Sequence, residues 1–292
     1  MTAPLTQAAA RLRALLESGE IVQMPAVFDP LSARLVEEAG FSASFMSGFA
    51  VSAARLALPD TGLISYGEIV DQGRNICAAV DIPVIGDGDT GYGNAVNVKR
   101  TVRGYAQAGF AAVMIEDQVW PKRCGHTKGK AVVAFDEAVA RIRAACDARD
   151  EGAGIMILAR TDARATHGLD EALRRADAFK EAGADMLFVE APESEAEMCR
   201  VCEAVPGWHL ANMVEEGTTP VLPAETLQDI GYSLVAWPLT LLSASMRAMR
   251  EALAEMKAGR HPDDRLLGFG ELRRIVGFED YYGEDDRYAG GA

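Results

Sequence analysis

Asp87 and Asp89 stand two residues apart in the run Gly86-Asp87-Gly88-Asp89-Thr90-Gly91-Tyr92-Gly93, and Glu116 ends the next apolar stretch but one polar step later in the chain. If 87 and 89 share a strand end, their side chains point the same way. With Glu116 they make an all-oxygen set. Hard oxygen donors without histidine or thiolate suit Mg²⁺, with Mn²⁺ as a second choice, better than zinc. A glycine-rich phosphate loop is the competing reading. The run, however, lacks a Lys-Ser/Thr ending, and its acids repel phosphate unless a metal bridges them.

Residues 121–130 read PKRCGHTKGK. Cys124 there is flanked by Lys122, Arg123 and His126, an electropositive setting that lowers a thiol pKa toward the range where it exchanges protons. A long, polar, glycine-punctuated loop has the character of a lid. No Cys/His/Asn arrangement with an oxyanion hole accompanies it, which argues against peptidase chemistry. Cys124 is therefore read as a catalytic acid.

These groups need a frame. Eight apolar, β-rich runs are expected as strands: 22–28, 43–47, 83–87, 112–116, 155–160, 186–190, 209–213 and 234–237. Amphipathic stretches lie between them, including 136–149, 169–182, 195–204 and 224–230. Gly40, Gly109, Gly183 and Gly231 sit where helices should close before a strand. Near-continuous apolar strands alternating with helices imply a parallel sheet buried on both faces. Eight units, with no GxGxxG after the first strand, favour a closed (β/α)₈ TIM barrel. Beyond it, 241–258 reads as a long amphipathic helix, 260–264 as a polar break, 270–282 as one further helix, and the tail as frayed. The whole chain, 1–292, is expected to form a single barrel domain with a helical extension from about 241 to 292.

Such a barrel carries its site at the C-terminal strand ends. The polar residues fall there: Ser47-Gly48, Asp87 and Asp89, Glu116-Asp117-Gln118, Arg160-Thr161-Asp162, Glu190, and Asn212. One carboxylate ending an apolar strand would be a helix cap or a structural ion pair. A succession of them is hard to desolvate without a common purpose.

Bulk properties narrow the function further. The 292 residues carry 29 Lys and Arg against 43 Asp and Glu, a formal charge of −14. That surface disfavours nucleic acid. No apolar run approaches bilayer length, and residues 1–16 lack a basic segment followed by an apolar one, so no membrane and a cytoplasmic location are expected. Five cysteines at irregular spacing argue against a disulfide framework, and Cys199 and Cys202 are read as structural residues on a helix.

GDGDTGYG, IEDQVWPKRCGH, ARTDA, VEAP and ANMVEEGTTP, in this order, resemble the isocitrate lyase/phosphoenolpyruvate mutase superfamily, over about residues 23–282. The chain's size resembles the methylisocitrate lyase and 2,3-dimethylmalate lyase branch. The resemblance implies that Ser47, Gly48, Phe49, Asn212 and Pro238 contact substrate. It implies that Asp87, Asp89 and Glu116, with Asp60, hold Mg²⁺ directly or through water. Arg160 would pair with a substrate carboxylate, Glu190 would complete the pocket, and Lys122, Cys124 and His126 would ride on a gating loop. A homotetramer with swapped C-terminal helices is implied in the same way.

The implied reaction is cleavage of a 2-hydroxy dicarboxylate to an α-keto acid and an aci-enolate, which Cys124 protonates. Mutase and decarboxylase branches generally lack the loop cysteine, so oxaloacetate decarboxylase or phosphoenolpyruvate mutase-type activity is a second alternative. Methylisocitrate lyase is the first. Against it, Phe45 replaces a tyrosine of that group, Val214 follows Asn212-Met213 where Thr is usual, and Ser243 replaces an arginine. Losing a charge-assisted partner costs roughly 1.5–3 kcal/mol, so a third carboxylate should bind poorly. A non-enzymatic scaffold is disfavoured by the full set of metal acids.

Overall fold

The computed structural model describes residues 4–125 and 129–289. Eight parallel strands close into a barrel in sequence order: β1 Val22–Val27, β2 Ser44–Met46, β3 Val84–Asp87, β4 Ala112–Glu116, β5 Met156–Thr161, β6 Met186–Val189, β7 Trp208–Asn212 and β8 Leu234–Trp237. β8 returns to β1, with Val22 opposite Leu234 and Met24 opposite Ala236. Every expected strand is present, with ends shifted by at most two residues. Gly40, Gly109, Gly183 and Gly231 all have positive φ, between 88° and 114°, as helix-terminating glycines require.

Alternation along each strand sorts the core into two layers. Phe45, Ile85, Met114, Met156, Leu158, Phe188, Leu210 and Ala236 fill the barrel interior, with Leu12 and Leu16 of the first helix, Gln7–Glu17, in the same cluster. Their neighbours Met46, Val113, Ile115, Ile157, Ala159, Leu187 and Val189 face outward to the helices. Each large buried aliphatic contributes roughly 1.5–3 kcal/mol, so the two layers together outweigh any single polar network in holding the barrel closed.

The chain packs as two compact units, residues 1–241 and 242–292. In the second, the helix beginning at Thr240 runs to Lys257, as the periodicity predicts. The single helix expected at 270–282 is instead two, Phe269–Val276 and Phe278–Ala289. Gly277 separates them with φ 84°. The apolar pattern continues across this break, so periodicity alone does not see it. The tail expected to fray is helical to Ala289, supported by an Arg287–Glu284 pair.

His209, on the outward face of β7, is buried, and its Nε2 lies 2.5 Å from the Val205 carbonyl. That carbonyl only accepts, so Nε2 carries the proton, and the buried Nδ1 has no partner. Burial holds the imidazole pKa below its ordinary value. A histidine with a depressed folded pKa stabilises fully above its unfolded value and loses that contribution as pH falls toward the folded one. Denaturant titrations at about pH 7.5 and about pH 5.5 should show a smaller acid loss in His209→Leu than in the parent chain. Equal losses would remove His209 from the acid response.

Candidate active site

The two-residue period that fills the barrel also aims the site. Two residues beyond Phe45, Ile85, Met114, Leu158, Phe188, Leu210 and Ala236 come Ser47, Asp87, Glu116, Arg160, Glu190, Asn212 and Pro238. All therefore project from interior positions at the carboxyl end. The opposite parity places Asp117 and Thr161 outward, where Arg175 of the helix Leu169–Glu181 donates to Asp117 at 3.0 Å.

A cavity of about 580 Å³, open mouth included, occupies this end. Ser47, Phe49, Asp60, Asp87, Lys122, Cys124, Arg160, Glu190, Asn212 and Pro238 line it, as expected. So does an apolar group that the motifs did not single out, chiefly Phe188, Leu210 and Leu239. Phe45 and Val214, where the sequence departs from the tricarboxylate pattern, are also in the wall. His126 lies outside the described residues.

Several expected roles are altered by contacts within the protein. Asp89 is not on the strand. It follows the end of β3 with φ 49°, and its N–H donates to Asp87 Oδ1 at 3.0 Å. Asp89 and Glu116 are set back from the cavity wall, and among the described residues no three acid, histidine or cysteine side chains close into a metal cage. The Gly48 N–H, expected to hold substrate, donates to Asp87 Oδ2 at 3.2 Å. A Cβ at residue 48 would stand 2.6 Å from that oxygen, so glycine is required for the approach. Ser47 caps the helix Gly48–Leu56 by accepting from Ala50, which leaves its hydroxyl proton uncommitted by that bond.

Lys122 is the largest correction. Its Nζ lies 2.6 Å from Asp60 and 2.8 Å from Asp89, with all three side chains nearly inaccessible. Burial would lower its pKa, but Asp89, Asp60 and Asp87 outweigh that and hold it well above the ordinary lysine value. Removing one partner of such a buried pair costs roughly 3–5 kcal/mol. Lys122, at the cavity wall, is thus paired with two buried carboxylates.

Arg160 is likewise held. Its Nε and Nη2 donate to Asp162 at 2.8 and 3.0 Å, Glu116 lies 3.3 Å from Nε, and Glu190 lies 3.7 Å from Nη2. Asp162 occupies one edge of the guanidinium, which leaves the Nη1 end for a ligand. Asn212 Nδ2 is 3.4 Å from both Glu190 oxygens.

Six buried carboxylates (Asp60, Asp87, Asp89, Glu116, Asp162, Glu190) thus surround three buried cations, Lys122, Lys130 and Arg160. Burial, with Asp89 adding, pushes Asp87 up, and burial pushes Glu116 well above the carboxylate range despite Arg160. Glu116 Oε1 is buried without a hydrogen-bond partner. Surplus negative charge, hard oxygen donors and an orphaned carboxylate oxygen fit a divalent cation that keeps part of its water shell, as Mg²⁺ does.

A closed eight-stranded parallel barrel with acids and a cysteine around a cavity at its carboxyl end defines the class of TIM-barrel enzymes. Within that class, the phosphoenolpyruvate phosphomutase family model matches residues 12–257, and the chain belongs to this phosphoenolpyruvate mutase/isocitrate lyase family, as a lyase. It is 43% identical over 288 residues to 2,3-dimethylmalate lyase of Eubacterium barkeri, covering 97% of this chain and 99% of that one. It is 44% identical over 280 residues to probable 2-methylisocitrate lyase 2 of Corynebacterium glutamicum, covering 94% and 90%. Among solved structures, 2,3-dimethylmalate lyase superposes with a TM-score of 0.93 at 37% identity, covering 98% and 96%. Oxaloacetate acetylhydrolase bound to 3,3-difluorooxalacetate gives 0.91 at 34%, covering 98% of each chain. A phosphonopyruvate hydrolase complexed with oxalate and Mg²⁺ gives 0.87 at 31%, covering 97% and 100%.

Proposed function

We propose that the enzyme is an oxo-acid lyase that breaks the C2–C3 bond of an alkyl-substituted 2-hydroxy dicarboxylate, a 2,3-dimethylmalate-like compound, giving an α-keto acid such as pyruvate or glyoxylate and a carboxylate. The observation that carries this reading is the cavity's mixed lining. Arg160, Asn212 and Ser47 offer donors for two carboxylates and a hydroxyl, while Phe45, Phe188, Leu210, Val214 and Leu239 offer surface for methyl groups. Each methylene buried there contributes about 0.8 kcal/mol. Phe45 and Val214 present no hydrogen-bonding side chain to a third carboxylate, which weighs against methylisocitrate although relatives of both names are similarly identical.

Asp87 and Asp60, at the cavity wall, with Asp89 and Glu116 behind, would hold Mg²⁺, or Mn²⁺ in its place. Bound there, the cation supplies Lewis-acid polarisation of substrate oxygens and offsets developing negative charge. The Nη1 end of Arg160 binds one substrate carboxylate, oriented by Asp162 and Glu190. Asn212, held against Glu190, presents its amide to the same region. The C2 hydroxyl gives up its proton to solvent as C2=O forms and the C2–C3 electron pair leaves as a carbanion; Cys124 donates its thiol proton to that carbanion, so the S–H bond breaks, a C–H bond forms, and the thiolate is reprotonated from solvent.

A panel of malate derivatives, assayed for α-keto acid release with and without Mg²⁺, tests the reading. Release from alkylmalates is expected. Decarboxylation of oxaloacetate alone, or phosphonopyruvate formation alone, would assign the site to a decarboxylase or mutase instead. The same reading keeps the location in the cytoplasm and the assembly a homotetramer. Met246, Met249, Leu253 and Met256 recur at three- and four-residue spacing along the helix Thr240–Lys257 and are all more than half exposed, a stripe suited to another helix. Light scattering of the assayed protein is expected to show four chains.

A further inference from the structure

Two stems carry the loop that bears Cys124. Val119 N donates to Ala131 O at 2.8 Å, and Val133 N to Asp117 O at 2.9 Å. An isolated antiparallel bridge joins Gln118 and Val132. Arg175 Nη2 fixes the exit stem through the Val133 carbonyl at 3.0 Å, and Gln118 holds both backbone groups of Arg123 at 2.8 and 2.9 Å. These bonds secure the base of the loop and its entry. A separate contact ties the residue after Cys124 to the barrel mouth.

Lys130 makes that tie. Its Nζ donates to the carbonyl of Gly125, the residue after Cys124, and lies 2.8 Å from Asp162 Oδ1. The lysine and aspartate side chains are 3% and 0% exposed. Asp162 is the same carboxylate that grips Arg160 with both oxygens, and its own N–H is anchored on Asp117 Oδ1 at 2.9 Å. Burial raises the Asp162 pKa, but Arg160 and Lys130 together hold it well below the carboxylate range, so it remains charged. Gly125 fits against this group only because it lacks a side chain: a Cβ would stand 1.9 Å from Glu190 Oε1 and 2.5 Å from Arg160 Nη2.

We propose that Lys130 is a positioning residue that latches the Cys124 segment of the loop to Asp162, so that the seating of the acid and the orientation of Arg160 are set by one shared carboxylate. The latch is electrostatic and donor-based. Methionine at 130 preserves length and removes both contacts, whereas arginine preserves charge and donors. A hydrogen bond to a charged group contributes roughly 1.5–3 kcal/mol, which shifts a loop-seating equilibrium by about tenfold or more.

The test reads Cys124 alkylation by iodoacetamide with mass spectrometry, using Cys199 as the internal reference. Lys130→Met is expected to alkylate Cys124 about tenfold faster than the parent, and Lys130→Arg at close to the parental rate. With a cleaved substrate in hand, Lys130→Met should lose kcat far more than it raises KM, with Mg²⁺ binding by calorimetry unchanged. The kinetic arm rests on the lyase reading, whereas the alkylation arm does not. Faster alkylation without turnover on any dicarboxylate would keep the latch and sink the lyase reading. Parental alkylation in Lys130→Met overturns the latch. If Lys130→Met does not fold, Lys130→Gln, neutral but able to donate, carries the same comparison.

Discussion

Cys124→Ala is expected to lower kcat by roughly 10²–10⁴-fold, the range that positioned acids contribute, while KM for the dicarboxylate moves little. Cys124 lines the same cavity as Arg160, Glu190 and Asn212, the groups that would surround the departing fragment. Cys124 adds little to substrate affinity, so its loss should appear in the chemical step. Cys124→Ser should be nearly as impaired, since a hydroxyl is a far weaker acid than a thiol. Steady-state release of α-keto acid gives the readout. Undiminished turnover in the alanine variant would remove Cys124 from the mechanism, and an equal loss in KM would recast it as a binding residue.

Chelation of divalent cations is expected to have the second large effect. Lewis-acid stabilisation in such sites contributes several kcal/mol, which corresponds to roughly 10³-fold in rate. Without the cation, six buried carboxylates face three buried cations, and burial holds Asp87 and Glu116 above their ordinary carboxylate values. EDTA should abolish keto acid release, and Mg²⁺ should restore it, with Mn²⁺ also effective. Asp87→Asn should need much more Mg²⁺ for the same rate, because Asp87 is the one carboxylate of the set Asp87, Asp89 and Glu116 on the cavity wall. Full activity after exhaustive chelation would contradict the assignment.

The barrel was legible because its signals are local. Each strand is an apolar run that a nearby glycine or polar residue ends, and β4 and β8 fall on the expected residues at both ends. The site was legible as a list of strand-end polar residues. Which of them face inward follows from parity: Arg160 lies two residues past Leu158 and shares its face, whereas Thr161 does not. That signal is in the sequence and would have separated Glu116 from Asp117.

What pairs with what was not legible. Lys122 reads as a basic flank of Cys124, yet the folded loop carries it to Asp60 and Asp89. Lys130 reads as one more loop lysine, yet it joins Gly125 and Asp162. Such contacts depend on the path of a loop without periodicity, and residue type alone cannot choose among several acids. Asp89 shows the same limit: the two-residue rule holds only while the backbone is extended, and its φ of 49° ends that. The apolar wall escaped notice for another reason. Phe188 and Leu210 are ordinary core residues by pattern, and only the folded barrel shows that they also line the cavity.

The most direct test of the central claim is the ratio of kcat/KM for 2,3-dimethylmalate to that for 2-methylisocitrate, measured with Mg²⁺ by α-keto acid release. An apolar wall at Phe45 and Val214, which offers no charged partner on that side of the cavity, predicts a ratio of about tenfold or more in favour of the dimethylmalate. A ratio that favours methylisocitrate would contradict the account.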